Sequence, residues 1–455
     1  MTVARFLEIH YVWIDSLCIV QDDLDDWRKE SALMGNVYGN ATVNVAATHA
    51  KDGSGGLFID RDVSKVPRNL VQLPRGEFHE VLDPDFYERC LTNAPLASRA
   101  WTFQERYLAQ RTIHFSSEQI FCECTEHTVC ESFPDGILAS EIQNSDFRFP
   151  ITSVKSVIGW NDVICLYSRT QLTFSKDKLI ALSGIARHFA NKTEARYLAG
   201  LWQTNLEQQL CWRVDNDKAS LLAIDPTTNR DPSLYIAPSW SWASLDLPIT
   251  WKLNTWDNVA HPNFVRDWPA AGLFPVASAV RANVSPAGDD PLGELADASL
   301  KVVCGPLMRS NIISDPYDMG MFARDNFICA DGISIKGAWY ANFDGPSRPI
   351  NLEKETCYLL PLVQRPQLPR KEVLGLGPTE FGLHTIYGLL VKQMRRPGHF
   401  ARLGVFELML GETILFQLFD KLSNHSGALM DESFYSEILE ETNEQGTKQY
   451  VITLV

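Results

Sequence analysis

Residues 11–20, YVWIDSLCIV, form an apolar run of strand length broken only by Asp15 and Ser16, and QDDLDDW follows it directly. A run this short cannot span a bilayer, and it is too apolar for a strand with one wet face. It is the pattern of a strand covered on both sides in a parallel sheet. The acids after it suit the positive end of a helix. WRKESALMGNVYGN (27–40) continues with helical spacing and a Gly39-Asn40 stop. ATVNVAAT (41–48), small and β-branched, reads as the next buried strand. Strand, helix and strand in this order predict a right-handed crossover unit, and so an α/β fold.

Beyond this unit, KDGSGGLFIDRD (51–62) is Gly-rich but lacks the spacing of either phosphate-binding glycine motif, and reads as a surface loop. ASRAWTFQERYLAQ (97–110) predicts a short helix, and RTIHFSSEQIFCEC (111–124) a hairpin turning near Ser116 and Ser117. From 151 to 215 three segments place apolar residues three and four apart, predicting a cluster of three helices, the last in YLAGLWQTNLEQQLCW. A proline-bearing stretch from Asp225 to Pro238 separates them from strand-like runs such as SLKVVCGPL, CYLLPLV and YVITLV. The expected organisation is an α/β domain at 1–135, a helical region at 151–225 and a β-rich domain at 235–455.

The chain has 455 residues, enough for two or three cores. Its 41 basic and 56 acidic residues leave a net charge of −15, which opposes the counterion release that drives nucleic-acid binding. No apolar run reaches membrane-spanning length and the N-terminus lacks the pattern of a signal peptide, so a soluble cytoplasmic protein is expected. Ten dispersed cysteines read as reduced thiols. Cys122-x-Cys124-x-x-His127-x-x-Cys130 departs from the usual zinc spacing, so no metal site is expected.

Among candidate chemical residues Glu30 stands out. It lies three residues after Trp27 and four before Met34, on the helix face that also carries Val37 and Tyr38. A carboxylate there is either an anchor held by an arginine, with Arg99 a candidate, or a functional group at a cleft. Ligands of open α/β sheets bind beyond the carboxyl ends of strands, where this helix begins. Glu105 reads as either an acid or a structural ion-pair partner, and Arg99, Arg106 and Arg111 close in sequence favour the second. Trp240 and Trp242 alternate as on a strand and read as core or interdomain contacts. His10, His49 and His114 have no nucleophile motif of the G-x-S-x-G kind beside them, so the sequence supports no hydrolase triad.

Several blocks resemble a known family. Tyr11 to Gln21, with Trp13, Asp15, Ser16 and Cys18, then Asp26-Trp27 with Glu30, Met34 and Tyr38, look like the central block of the fungal heterokaryon incompatibility (HET) domain. Arg99-Ala100-Trp101-Thr102-Phe103-Gln104-Glu105 is similar to that family's R-x-W-T-x-Q-E block. Tyr167-Ser168-Arg169, Asp177-Lys178-Leu179 and Pro238 to Ser244 resemble segments that commonly follow it. The resemblance implies a flavodoxin-like sheet distantly similar to Toll/interleukin-1 receptor (TIR) domains, and a role in fungal nonself recognition and regulated cell death through protein partners or self-association. Some TIR domains hydrolyse NAD with a glutamate early in a helix, and Trp27-Arg28-Lys29-Glu30 is similar to that setting. NAD is thus an implied substrate, with no firmly implied cofactor, and Glu30 the implied catalytic residue. Related domains open with a further strand and helix, whereas only VARFLEIH precedes the run here. An incomplete sheet with YVWIDSLCIV at an exposed edge is therefore expected.

Overall fold

The structure, a computed structural model, describes residues 1–62, 69–72, 74, 76–81, 83, 85–124, 127–137, 157–215, 218, 234–251, 274–310, 327–328, 334–335, 338–344, 356–366, 383–411, 430–442 and 448–455. Of the expected proline-bearing separator, residues 225–233 lie outside these. The chain divides into two compact units, one of Met1–Gly159, Arg169–Glu194 and Pro286–Glu294, the other of the remainder.

The first unit opens with α1 (Thr2–Phe6), α2 (Asp15–Cys18) and α3 (Leu24–Asn40), followed by β1 (Asn44–Ala46) and a hairpin of β2 (Asn69–Gln72) and β3 (Phe78–Val81). Then come α4 (Ala100–Leu108), β4 (Arg111–Phe115), β5 (Ile120–Cys124) and β6 (Thr128–Cys130). The acids before α3 cap it as expected: the Asp23 carboxylate accepts the Asp25 and Asp26 amides at 2.9 and 3.1 Å. The four-stranded sheet runs β1-β4-β5-β6. Only the β1/β4 pair is parallel, the other two pairings being antiparallel. The unit is thus mixed α/β, with a single parallel pair where a parallel sheet was expected.

The run 11–20 corrects the strongest sequence expectation. It forms no strand: Ile14 is extended, Asp15–Cys18 make one helical turn, and Tyr11 and Leu17 are 92% and 74% exposed. The two polar residues inside the run explain this. The Asp15 carboxylate accepts the Ser16 amide at 2.7 Å, and such a local bond competes with a strand ladder. The Val20 amide then donates to Asp26 at 2.9 Å, tying the run to the start of α3.

After α5 (Val157–Tyr167), helix α6 (Ser183–Thr193) returns to the first unit and crosses α3. The crossing is close because glycines meet: a Cβ on Gly35 would stand 2.9 Å from the Gly184 Cα.

In the second unit, the third expected helix is replaced by a hairpin of β7 (Tyr197–Leu198) and β8 (Leu201–Trp202), followed by the single turn α7 (Leu206–Gln209). Ala199 and Gly200, both at positive φ (51° and 96°), make the tight turn that suits a two-residue hairpin. The Gly200 carbonyl accepts both the Trp160 and Trp242 indoles, at 3.0 and 2.8 Å. A Cβ on Gly200 would lie 2.6 Å from Trp242 Nε1. Trp240 and Trp242 are therefore core residues, as expected, but Trp242–Ser244 is a 3-10 turn rather than strand.

Strand β9 (Arg213–Val214) pairs with β10 (Ile249–Thr250), and β15 (Phe327–Ile328) with β16 (Ser334–Ile335). The remaining strands are β11 (Phe274–Pro275), β12 (Ser278–Pro286), β13 (Leu295–Cys304), β14 (Met308–Ser310), β17 (Ala338–Phe343), β18 (Cys357–Pro366), β19 (Leu383–Gln393), β20 (His399–Gly411), β21 (Glu437–Thr442) and β22 (Lys448–Leu454). They join in one ten-stranded sheet with the path β11-β18-β19-β20-β22-β13-β12, and β14, β17 and β21 attach beside it. This is the β-rich C-terminal part the sequence implied. Arg402 of β20 is buried on it, making a bidentate pair with Asp344 at 2.6 and 3.0 Å while its guanidinium stacks 3.3 Å from the Trp212 ring.

Candidate active site

Strands β4 and β5 are built by alternation. Thr112, His114, Phe121 and Glu123 are buried on one face, while Ile113, Cys122 and Cys124 are half-buried on the other. A glutamate in phase with a buried phenylalanine needs a partner inside the protein. Helix α4 supplies it. Arg106 Nε and Nη2 donate to the two Glu123 oxygens at 2.8 and 2.6 Å, and Tyr87 donates its hydroxyl to the same carboxylate. On the other side His114 Nε2 stands 2.9 Å from Glu123 Oε2, and His114 Nδ1 3.0 Å from the Thr48 hydroxyl. Burial alone would raise Glu123, but Arg106 and His114 hold its carboxyl well below the usual range. Burial lowers His114, whose ring is therefore neutral.

One residue before Arg106, Glu105 has a different setting. Burial, reinforced by the charge of Asp15, pushes its carboxyl up to about 7, against the opposing pull of a Tyr38 hydrogen bond and the Arg99 charge. Tyr38 is itself pushed upward by burial and by Glu105, so its phenol stays protonated and donates. The Trp13 ring meets Tyr38 edge-on at 5.8 Å. Arg106 thus pairs with Glu123, and Glu105 is a protonatable acid held by a tyrosine and under the charge of Arg99.

Glu105, Arg106, Thr48 and His114 border a common small cavity closed by Leu91, Leu96 and Phe103, with a volume of about 30 Å³. A second, larger cleft of about 460 Å³ lies between α3, α6 and the end of α4, bordered by Tyr107, Arg187, His188 and Lys192. Arg106 borders both.

The residues singled out from sequence fall into place around Glu105. Trp27 meets Trp101 edge-on at 6.1 Å, and the Trp101 indole bonds to buried Asp177. The Gln104 side-chain oxygen accepts the Gly184 amide at 2.7 Å, so the R-x-W-T-x-Q-E block fastens α4 to α3 and α6. Asp26 holds the Val20 amide. Asp15, Ser16 and Cys18 are exposed, and Asp15 reaches the site through its charge on Glu105. Arg99, offered as a holder for Glu30, acts electrostatically on Glu105. Glu30 is half-buried on α3 and borders neither the cavity nor the cleft. Thr48, Tyr87 and Glu123 were missed, and Arg106 was named only as a neighbour of Glu105. The available signal was IFCEC, whose alternation places Glu123 in phase with Phe121 and opposite Thr112.

Residues 1–105 match the family model described as Heterokaryon incompatibility protein (HET). No curated protein and no solved structure matches the chain. The family match ends at Glu105, the last residue of the block that bolts α4 in place, and so takes in the Trp13, Tyr38 and Glu105 cluster. The N-terminal segment of this chain is a heterokaryon incompatibility (HET) domain, and the protein's function is related in general to heterokaryon incompatibility.

Proposed function

We propose that the protein acts in fungal nonself recognition and regulated cell death, and that its N-terminal unit does so by cleaving the nicotinamide–ribose bond of NAD with Glu105 as the working carboxylate. The supporting observation is the placement of Glu105: a carboxyl held near 7 with a tyrosine donor on it, one residue before Arg106, which borders the larger cleft. As the C1′–N bond breaks, its electrons leave with nicotinamide and the ribose gains oxocarbenium character. An ionised Glu105 stabilises that charge, and water then adds at C1′ and releases a proton. Glu30, the residue implied by resemblance to TIR domains, borders neither the cavity nor the cleft and is the comparison position.

The test is nicotinamide release from NAD by the purified full chain. Glu105→Gln should lower the rate by about 100-fold or more, while Glu30→Gln should leave it near the starting value. Loss in Glu30→Gln alone would move the chemistry to α3, and no release by the folded wild type would end the glycosidic reading.

A second reading, a non-enzymatic adaptor that works by self-association, is favoured by the segment 11–20, which leaves Tyr11, Leu17 and Val20 exposed. On that reading Glu105→Gln would retain cell-death activity.

A further inference from the structure

The larger cleft of the first unit presents a row of nitrogen donors. Its walls are α3 from Ala32 to Asn40 and α6 from Gly184 to Lys192, the two helices that meet closely at Gly35 and Gly184. Its volume of about 460 Å³ is within the range of small-molecule sites. Helical spacing decides what α6 presents there. Arg187, His188, Asn191 and Lys192 stand at i, i+1, i+4 and i+5, which is one face of a helix, and all four border the cleft. From the α3 wall Asn36 adds a further amide.

The charge of this surface is opposite to that of the chain. The whole molecule carries −15. Yet among the described residues Glu123 is the one carboxylate that borders the cleft, and Arg106 and His114 already hold it. Arg187 gives Nη2 to Asp290 at 2.7 Å, while its buried Nε has no partner among the described residues. Lys192 is exposed in the last turn of α6, and its charge acts with burial to lower the His188 ring, so the ammonium stands close to that ring. Helix C-termini border the cleft as well, and their carbonyls would repel an anion. Side-chain amides cover two carbonyls near the end of α3: Gln110 Nε2 donates to Gly39 at 3.3 Å and Asn40 Nδ2 to Asn36 at 2.8 Å.

We propose that this cleft binds a phosphate-bearing small molecule of nucleotide size, its phosphate held by Lys192 Nζ and Arg187 Nε and flanked by the amides of Asn191 and Asn36. Charged donors make hydrogen bonds to phosphate about twice as strong as neutral ones, and a planar guanidinium fits phosphate oxygens. A ligand there also satisfies the buried Nε that is otherwise left without an acceptor. Leu108, Ala109 and the Tyr107 ring border the same cleft and suit the uncharged part of such a molecule. Binding is non-covalent and leaves the Arg106–Glu123 pair in place.

This site goes beyond the glycosidic reading and does not rest on it. The test is isothermal titration of the purified full chain with AMP, with adenosine as the phosphate-free control and inorganic phosphate as the base-free one. Saturable binding of AMP at millimolar concentration or below is expected, with adenosine weaker by at least about 10-fold. Lys192→Gln should weaken AMP by at least about 10-fold, whereas Lys192→Arg, which keeps the charge, should bind it nearly as wild type does. Lys29→Gln, exposed on α3 and not bordering the cleft, should change nothing. Lys192 is exposed, so its variants should keep the wild-type circular dichroism. Bound AMP should also slow alkylation of Cys124, which borders the cleft, but not of exposed Cys18, which does not, as read by peptide mass spectrometry. AMP bound no better than adenosine, equal affinity in wild type and Lys192→Gln, or no saturable binding of AMP would overturn the site. Lys192 would then only offset the C-terminus of α6. Inorganic phosphate bound as tightly as AMP would overturn the nucleotide-sized ligand. Because no readout involves nicotinamide, these outcomes leave the Glu105 reading standing.

Discussion

Two neighbouring residues of α4 carry opposite lessons about buried charge. Arg106 is satisfied by Glu123 and Tyr87, whereas Glu105, one position earlier, has a tyrosine hydrogen bond and the charge of Arg99. Its carboxyl is pushed up to about 7 by burial and Asp15, from an ordinary value of about 4.3. Between those values the folded chain holds a proton that the unfolded chain has released, so this residue's contribution to stability falls as pH rises through the window. The difference in unfolding free energy, wild type minus Glu105→Gln, should therefore decline by about 1–3 kcal/mol between pH 5 and pH 8 in urea titrations. Taking the difference removes His114, whose lowered pKa works the other way. If Glu105 serves as an ionised carboxylate, nicotinamide release should rise with pH and level off above about 7. The sequence brought Glu105 forward within the R-x-W-T-x-Q-E block, with the roles of acid and ion-pair partner both open and three arginines as candidate partners. Arginines at 99, 106 and 111 are near it along the chain, and only the turn of α4 decides which side each one faces.

The elements of the first unit are held by specific fasteners as well as by a buried apolar cluster around Phe86, Leu91 and Phe121. The Gly184 amide donates to Gln104, and a Cβ on Gly184 would stand 2.6 Å from that glutamine's oxygen and 2.9 Å from the Gly35 Cα. Gly184→Ala should therefore destabilise the fold by about 1–3 kcal/mol, measured by chemical denaturation, because backbone lies on one side of the new methyl. In the second unit Arg402→Ala leaves Asp344 buried without its guanidinium and strips carbonyls of Leu210 and Trp212 of their donor. A loss of about 3–5 kcal/mol is expected in the same measurement. Helix α3, helix α4 and the β4/β5 hairpin were legible because cap, period and turn agree locally. Two elements were not. The run 11–20 reads as a strand by hydropathy, yet Asp15 and Ser16 turn it into a helical bend. The segment 197–212 has helical spacing, yet the positive φ at Ala199 and Gly200 makes it a hairpin, with Trp160 and Trp242 gripping the turn.

At the scale of the molecule, sequence blocks located the HET segment because they carry the residues that bolt α3, α4 and α6 together. The buried network of Thr48, His114 and Glu123 was legible only in part, since His114 was singled out from sequence and the other two were not. His114 and Glu123 share one hairpin, but Thr48 is 66 residues from His114 and meets it only through strand register and the turn after β1. Among the described residues no helix is long and apolar enough to cross a membrane. The exposed Tyr11 and Leu17 set a further expectation. On the adaptor reading, Leu17→Lys should weaken concentration-dependent self-association in sedimentation velocity, without changing nicotinamide release.

The claim on which the functional reading turns is that Glu105 holds its proton close to neutrality inside the protein. The most direct measurement is an infrared titration of carboxyl absorbance in the full chain, taken as the difference between wild type and Glu105→Gln. A protonated-carboxyl band that disappears with a midpoint near 7 is expected. A midpoint at the ordinary glutamate value, about 4.3, would show Glu105 to be a solvated carboxylate and contradict the assignment.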